Sequence, residues 1–220
     1  LKTQQDRLSI AGWGRSDAAK ATAAARQFTN TLDDGILKAV TPKALRVTDE
    51  AISRVPLYTP EGWTEKQAAT LQIAHKDLLR RVQPKPPGTE ASATYDTAMQ
   101  PLQERMGKDA AHAVAIPDAP VPYLAMHNHP DGLTFSGGDL ALFGRRNQMR
   151  LLTAIGNDGG LYVLEKTRAF DRRAFDAAFS DYTGAHPEME KGAGAYAKGI
   201  ADFLEGAGKY GVYYYAGKAR

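Results

Sequence analysis

The chain contains no cysteine. Disulfide stapling and thiolate chemistry are thereby excluded, so any metal ion must be held by nitrogen and oxygen ligands. A long apolar run is also missing. Nowhere do about 18 consecutive apolar residues occur, the length a membrane-spanning helix requires, and the opening LKTQQDRLSI lacks the charged-then-apolar layout of a secretory signal. These absences set the expectation of a soluble, cytoplasmic protein with no membrane partner. Charge of one sign is scarce as well: 28 basic residues are scattered among 25 acidic ones for a net +3, which does not force nucleic-acid binding. Apolar material is plentiful, at 43% of 220 residues, enough for one good core and a small helical annex.

Periodicity divides the chain into a helical N-terminal region (1–83), a mixed core (84–168) and a C-terminal region (169–220) of helices with an aromatic tail. In the first, the alanine-rich residues 16–29 read as helix. A second helix is expected to open at Thr41-Pro42, a hydroxyl N-cap followed by proline at the first helical position, and to carry Leu45, Ala51, Ile52 and Val55. A third follows Pro60-Glu61-Gly62, where Thr64 and Gln67 form a capping box ahead of Leu71, Ala74, His75, Leu78, Leu79 and Val82 at helical spacing. Gln83-Pro84-Lys85-Pro86-Pro87-Gly88 ends that pattern, because proline cannot continue the hydrogen-bonded ladder.

Beyond this boundary residues 89–95 read as a strand, 121–126 as a short apolar strand running into two histidines, and 137–148 as a helix. Residues 151–155 and 161–164 flank Asn157-Asp158-Gly159-Gly160, whose residue types suit a hairpin turn. Helical faces return with Phe175, Ala178, Phe179 and Tyr182, then with Tyr196, Ile200, Phe203 and Leu204, before a strand-like or tail-like Tyr210–Tyr215. The expected fold class is α/β, of the α+β kind: a mixed sheet with flanking helices.

The segment His127-Asn128-His129-Pro130-Asp131-Gly132-Leu133-Thr134-Phe135-Ser136-Gly137-Gly138-Asp139 concentrates chemistry. It reads either as a metal site or as a polar turn held by local hydrogen bonds. Two histidines separated by one residue reach a common ion if the chain is extended and then bends, as a strand followed by Pro130 would provide. Asp139, at the start of the expected helix, supplies a third, oxygen ligand. A site of two histidines and one aspartate would leave a zinc ion an open position for water, whose pKa zinc lowers from about 16 to about 7. A proton acceptor must then come from elsewhere. Glu90, on the first strand after the prolines, is the candidate, with Glu104 and Asp96 as alternatives. Ser136 is placed to donate a hydrogen bond to the oxyanion of a tetrahedral intermediate.

Taken together, Glu90, His127-Asn128-His129-Pro130 and Ser136-Gly137-Gly138-Asp139 resemble the signature of the JAB/MPN (JAMM) metalloproteases, and the resemblance covers residues 88–166. It implies a JAB/MPN-like mixed sheet with flanking helices and a Zn2+ isopeptidase site. His127, His129 and Asp139 would be the metal ligands, Glu90 the general acid/base and Ser136 the oxyanion partner. The sequence departs from the family in one respect: six residues, Pro130 to Phe135, separate the second histidine from the serine where the family has seven. Ala51-Ile52-Ser53-Arg54-Val55-Pro56-Leu57 and Ala74-His75-Lys76-Asp77-Leu78-Leu79-Arg80 are similar to segments of phage head-morphogenesis (MuF-like) proteins, which implies a phage origin and a virion-associated location.

Other conspicuous residues have plainer readings. His75 falls on the inner face of a helix and reads as core, while His112 and His186 fall in loops. Arg145, Arg146 and Arg150 suit a solvated helix face or an acidic ligand, and Tyr213, Tyr214 and Tyr215 an edge strand, an oligomer contact or a stacking platform. The functional expectation is a zinc-dependent hydrolase of peptide or isopeptide bonds, with a protein or peptide substrate and nucleic acid not favoured. The rivals are a phage-associated, toxin-type metal-dependent nuclease and a non-catalytic phage structural or interaction domain.

Overall fold

A computed structural model describes residues 43–217 of the chain. The alanine-rich residues 16–29 and the Thr41-Pro42 helix start lie outside the described residues. Helix α1 (Asp49–Arg54) begins later than the sequence suggests. Thr48 is its N-cap, accepting from Ala51 N at 3.1 Å, and Asp49 and Glu50 put negative charge in the first turn. Leu45 is therefore not helical. It lies in an irregular segment whose backbone finds partners elsewhere: its N–H donates to Pro130 O (2.7 Å), and its carbonyl accepts from Asn157 Nδ2 (2.8 Å).

Helix α2 (Glu65–Val82) starts at the expected Thr64–Gln67 capping box and stops ahead of the prolines. The strands follow: β1 (Ala91–Asp96), β2 (Pro101–Met106), β3 (Tyr123–His129), β4 (Met149–Gly156), β5 (Leu161–Lys166) and β6 (Val212–Gly217). They form one six-stranded mixed sheet in the order β2-β1-β3-β4-β5-β6. All neighbours are antiparallel except β3 and β4. A parallel pair cannot be joined by a tight turn and needs a crossover, which helix α3 (Gly137–Arg145) provides. Helices α4 (Arg172–Ala185) and α5 (Ala193–Glu205), each followed by a short 3-10 helix, lie between β5 and β6 in the chain. Among the described residues no helix is long and apolar enough to cross a membrane.

The period-two alternation of the strands divides the core between the two faces of the sheet. Leu124, Met126, Leu151, Ile155 and Val163 face one way and pack with Leu71, Leu78 and Leu79 of α2. Tyr123, Ala125, Leu152, Ala154 and Leu164 face the other, against Phe143, Phe175 and Phe203 from α3, α4 and α5. Because β3 and β4 are covered on both sides, apolar residues face both layers along Tyr123–Met126 and at Leu151, Leu152, Ala154 and Ile155. β2 is the reverse: every residue is exposed, its PLQERM has no apolar alternation, and the strand was not legible beforehand. Its proline stands at the first position of an edge strand, where a missing N–H is tolerated. The β4–β5 turn does use glycine for its backbone, since Gly159 has φ +90° and a Cβ there would lie 2.2 Å from Ala51 O.

His75 is a core residue, 1% exposed, with Nε2 3.0 Å from Thr153 Oγ1 on β4. Burial pushes its pKa down from 6.5 to about 3. The neutral ring is thus the folded form, and its contribution is complete above pH 6.5. It is lost as pH falls from 6.5 toward 3, where the unfolded chain takes up a proton that the folded chain refuses. His75→Leu should flatten the acid limb of stability by about 1 kcal/mol per pH unit in that window. Urea midpoints of wild type and variant between pH 7 and pH 4 read the difference, and parallel curves would show that His75 does not control it.

Candidate metal centre

The crossover from β3 to β4 brings the C-terminal end of β3 beside the N-terminal end of α3, and the chemistry-bearing residues collect at that junction. His127 and His129, two apart on β3, share the sheet face covered by α3. Their Nε2 atoms are 2.8 Å apart. Asp139 comes from the third position of α3, with Oδ1 3.3 Å from His127 Nε2 and Oδ2 3.4 Å from His129 Nε2. Around a tetrahedral ion, ligand atoms about 2.0–2.1 Å from the centre lie about 3.3 Å from one another. The histidine–aspartate separations match that spacing, and the histidine–histidine separation, 2.8 Å, is about half an ångström shorter. Two imidazole nitrogens and a carboxylate within 4.8 Å of one another form a group that can hold a metal ion.

Each of the three side chains is braced differently. His129 Nδ1 is 3.0 Å from Leu133 O. A carbonyl only accepts, so Nδ1 is the donor, and in the neutral ring Nε2 keeps its lone pair for the cluster. His127 Nδ1 is buried with no hydrogen-bond partner among the described residues. Asp139 closes a capping box with the N-cap Ser136. Its Oδ2 accepts from Ser136 N and Ser136 Oγ, both at 2.8 Å, while Asp139 N donates to Ser136 Oγ at 3.1 Å. The helix N-terminus adds a favourable field for the carboxylate.

Charge balance follows from this geometry. Burial opposes ionisation of Asp139, but His127 and His129 outweigh it and hold the carboxyl well below its usual range. Burial likewise disfavours a charged His129, yet the Asp139 carboxylate, helped by Glu90 and the Leu133 carbonyl, raises its pKa to about 9. Without a metal the cluster is accordingly an ion-paired group, and a divalent cation would compete with protons for it.

Glu90 lies immediately before β1 and is 9% exposed. Ser92 pairs with His127 across β1 and β3, and continuing that antiparallel register by two residues sets Glu90 opposite His129, on the same face as both histidines. Among the described residues no hydrogen bond reaches its carboxylate. Burial pushes its pKa up; the histidines draw it down, and Asp139 and Asp131 push it up again. The alternatives stand elsewhere. Glu104 is an exposed residue of β2 paired with Arg81, and Asp96 spends a carboxylate oxygen on Ala98 N and Gln100 N at the far end of β1. Ser136 is at the site, but its hydroxyl proton is directed to Asp139. Donation to an oxyanion would require that bond to break.

Asn128, between the histidines, was not singled out from the sequence. It is fully buried on the opposite face, where Oδ1 accepts from Ala91 N (2.7 Å) and Nδ2 donates to Thr89 O (3.2 Å) and Asn157 Oδ1 (2.9 Å). It therefore grips the backbone on both sides of Glu90. A polar amide in an otherwise apolar strand was the available signal.

Titration with cobalt(II) as a probe should give saturable binding close to one ion per chain, weakened at least about 100-fold in His127→Ala and in Asp139→Asn. Equal binding by wild type and variants would remove these residues from the ligand set. No family model matches the chain, and no curated protein or solved structure matches it, so the functional reading rests on the geometry of this site.

Proposed function

We propose that the chain is a zinc-dependent hydrolase that cleaves a peptide or isopeptide bond, with a JAB/MPN-like site. The observation that carries this reading is Glu90, 9% exposed and with no hydrogen-bond partner for its carboxylate among the described residues, on the same sheet face and in register with His129 of the His127–His129–Asp139 group. Two imidazoles and one carboxylate suit zinc, and three protein ligands leave a position open, as catalytic zinc sites do. When bound, zinc would supply a Lewis acid that polarises the scissile carbonyl and makes water reactive near neutral pH.

The chain's own residues would do the rest. As water oxygen bonds to the carbonyl carbon, Glu90 takes the water proton. As the carbon–nitrogen bond breaks, Glu90 returns that proton to the departing amine. Its raised pKa suits a group that must give the proton back. Asn128 holds the Glu90 backbone against the ligand strand, and Leu133 O fixes the His129 ring. Ser136 acts first by orienting Asp139, and reaches an oxyanion by rotating its hydroxyl away from that carboxylate.

A peptide bond is preferred over a phosphodiester because Arg145, Arg146 and Arg150 do not gather at this end of the sheet. Arg150 is the second residue of β4 and Arg145 the last of α3, at the end where Tyr123 pairs with Met149, while the histidines lie at the other end of β3 beside Ala154 and Gly156. Arg146 is committed to Pro117 O at 2.9 Å.

Glu90→Gln should retain metal binding and lose about 10²- to 10⁴-fold in cleavage of isopeptide-linked protein conjugates or unstructured peptides by the zinc-loaded protein. The assay is run beside RNA and DNA of mixed sequence. Nucleic-acid cleavage that survives Glu90→Gln, with no peptide cleavage by wild type, would overturn the proposal.

A further inference from the structure

We propose that Tyr162 and Tyr214 are positioning residues that set the aim of His129 at a bound metal by clamping the loop between β3 and α3. This rests on the metal-centre reading above and adds to it residues that no part of the ligand motif contains.

The loop carries the carbonyl that orients the ligand. Leu133 O accepts from His129 Nδ1 at 3.0 Å, so any drift of that carbonyl turns the imidazole and moves Nε2 away from His127 and Asp139. Local bonds fold the loop on itself: Gly132 N donates to His129 O (3.1 Å) and Leu133 N to Asp131 Oδ1 (2.9 Å). The first ties Gly132 N to the end of β3, the second moves with the loop, and Leu45 N holds Pro130 O at 2.7 Å where the loop begins. Two further anchors come from β5 and β6, on each side of Leu133. Tyr162 OH, from β5, donates to Gly132 O at 3.0 Å, and Tyr214 OH, from β6, is hydrogen-bonded to Thr134 Oγ1 at 3.0 Å.

The strands make this possible. Glu165 pairs with Tyr213 and Leu164 with Tyr214, so the alternation along β5 and β6 turns Tyr162 and Tyr214 to the face that holds the histidines. Tyr213 and Tyr215 turn to the other face, where both rings pack near Tyr58. The tyrosine run is thus divided between two layers and forms no single stacking platform. Both loop-facing rings are half-buried and pack in the core, and phenylalanine would keep that packing while removing only the hydroxyl.

Residues that touch a ligand directly are worth 10- to 100-fold in metal affinity, and these tyrosines act one bond further out. Chelator-competition titrations with zinc, and with cobalt(II) for its visible absorption, should show the Tyr162→Phe, Tyr214→Phe double variant binding about tenfold more weakly than wild type, with an altered cobalt spectrum. Each single variant should lose about threefold. Tyr213→Phe, removing a hydroxyl from the other face, should match wild type in both readouts. Wild-type affinity and spectrum in the double variant would overturn the clamp and leave the metal centre standing. Absence of binding by wild type itself would overturn both. If the double variant does not fold, the single variants decide: unchanged affinity and spectrum in both refutes the clamp.

Discussion

The Asp139 carboxylate is where the strand that ends in histidines meets the helix that must follow it. β3 and β4 run parallel, so the chain has to cross between them, and the helix that crosses starts beside the end of β3. With aspartate at its third position and serine at its N-cap, that helix N-terminus becomes the junction at which the three candidate ligands meet. One side chain satisfies the Ser136 N–H and hydroxyl and also faces both imidazoles. The other end of the helix is fixed too. Lys166 donates to Arg146 O at 2.7 Å, with its ammonium near the rings of Phe143 and Phe170 (4.6 and 4.7 Å). Burial, with Arg150 and Arg172, lowers that lysine to about 8, so near neutral pH it still carries most of its charge at a helix C-terminus, where charge is favourable. A nine-residue helix clamped at both ends is a firm mount for one candidate ligand.

β3 serves chemistry on one face and framework on the other. His127 and His129 point to the α3 layer, while Asn128 points back toward the layer of α1 and α2 and binds Thr89 O, Ala91 N and Asn157. Asn157 in turn donates to Leu45 O, and Leu45 N to Pro130 O, the residue after the second histidine. The segment ahead of α1, the β4–β5 turn and the ligand strand are therefore one hydrogen-bonded unit. Small displacements of any of them would reach the histidines.

How much of this could be read beforehand depended on whether the signal was local. The capping box at Thr64–Gln67 involves residues three apart, and the His-x-His pair needs only strand alternation to share a face. These were legible. The Ser136–Asp139 capping box was missed although its residues are also three apart, because Ser136 read as an oxyanion donor. The α1 start was misplaced because Thr41-Pro42 and Thr48 both look like caps in isolation, and the bonds of Leu45 to Pro130 and Asn157 that keep its segment unwound span much of the chain. β2 was invisible because an edge strand with every residue in water has no reason to alternate. Tyr162 and Tyr214 were unreadable as loop anchors for another reason: only the β5–β6 register brings them to one face, across from a loop that comes much earlier in the chain.

Whether His127, His129 and Asp139 share one divalent ion is decided by anomalous diffraction at the zinc edge, from crystals grown with zinc. One strong peak is expected about 2.0–2.2 Å from His127 Nε2, His129 Nε2 and an Asp139 carboxylate oxygen. A peak elsewhere, or imidazoles turned apart with none between them, would contradict a shared ion.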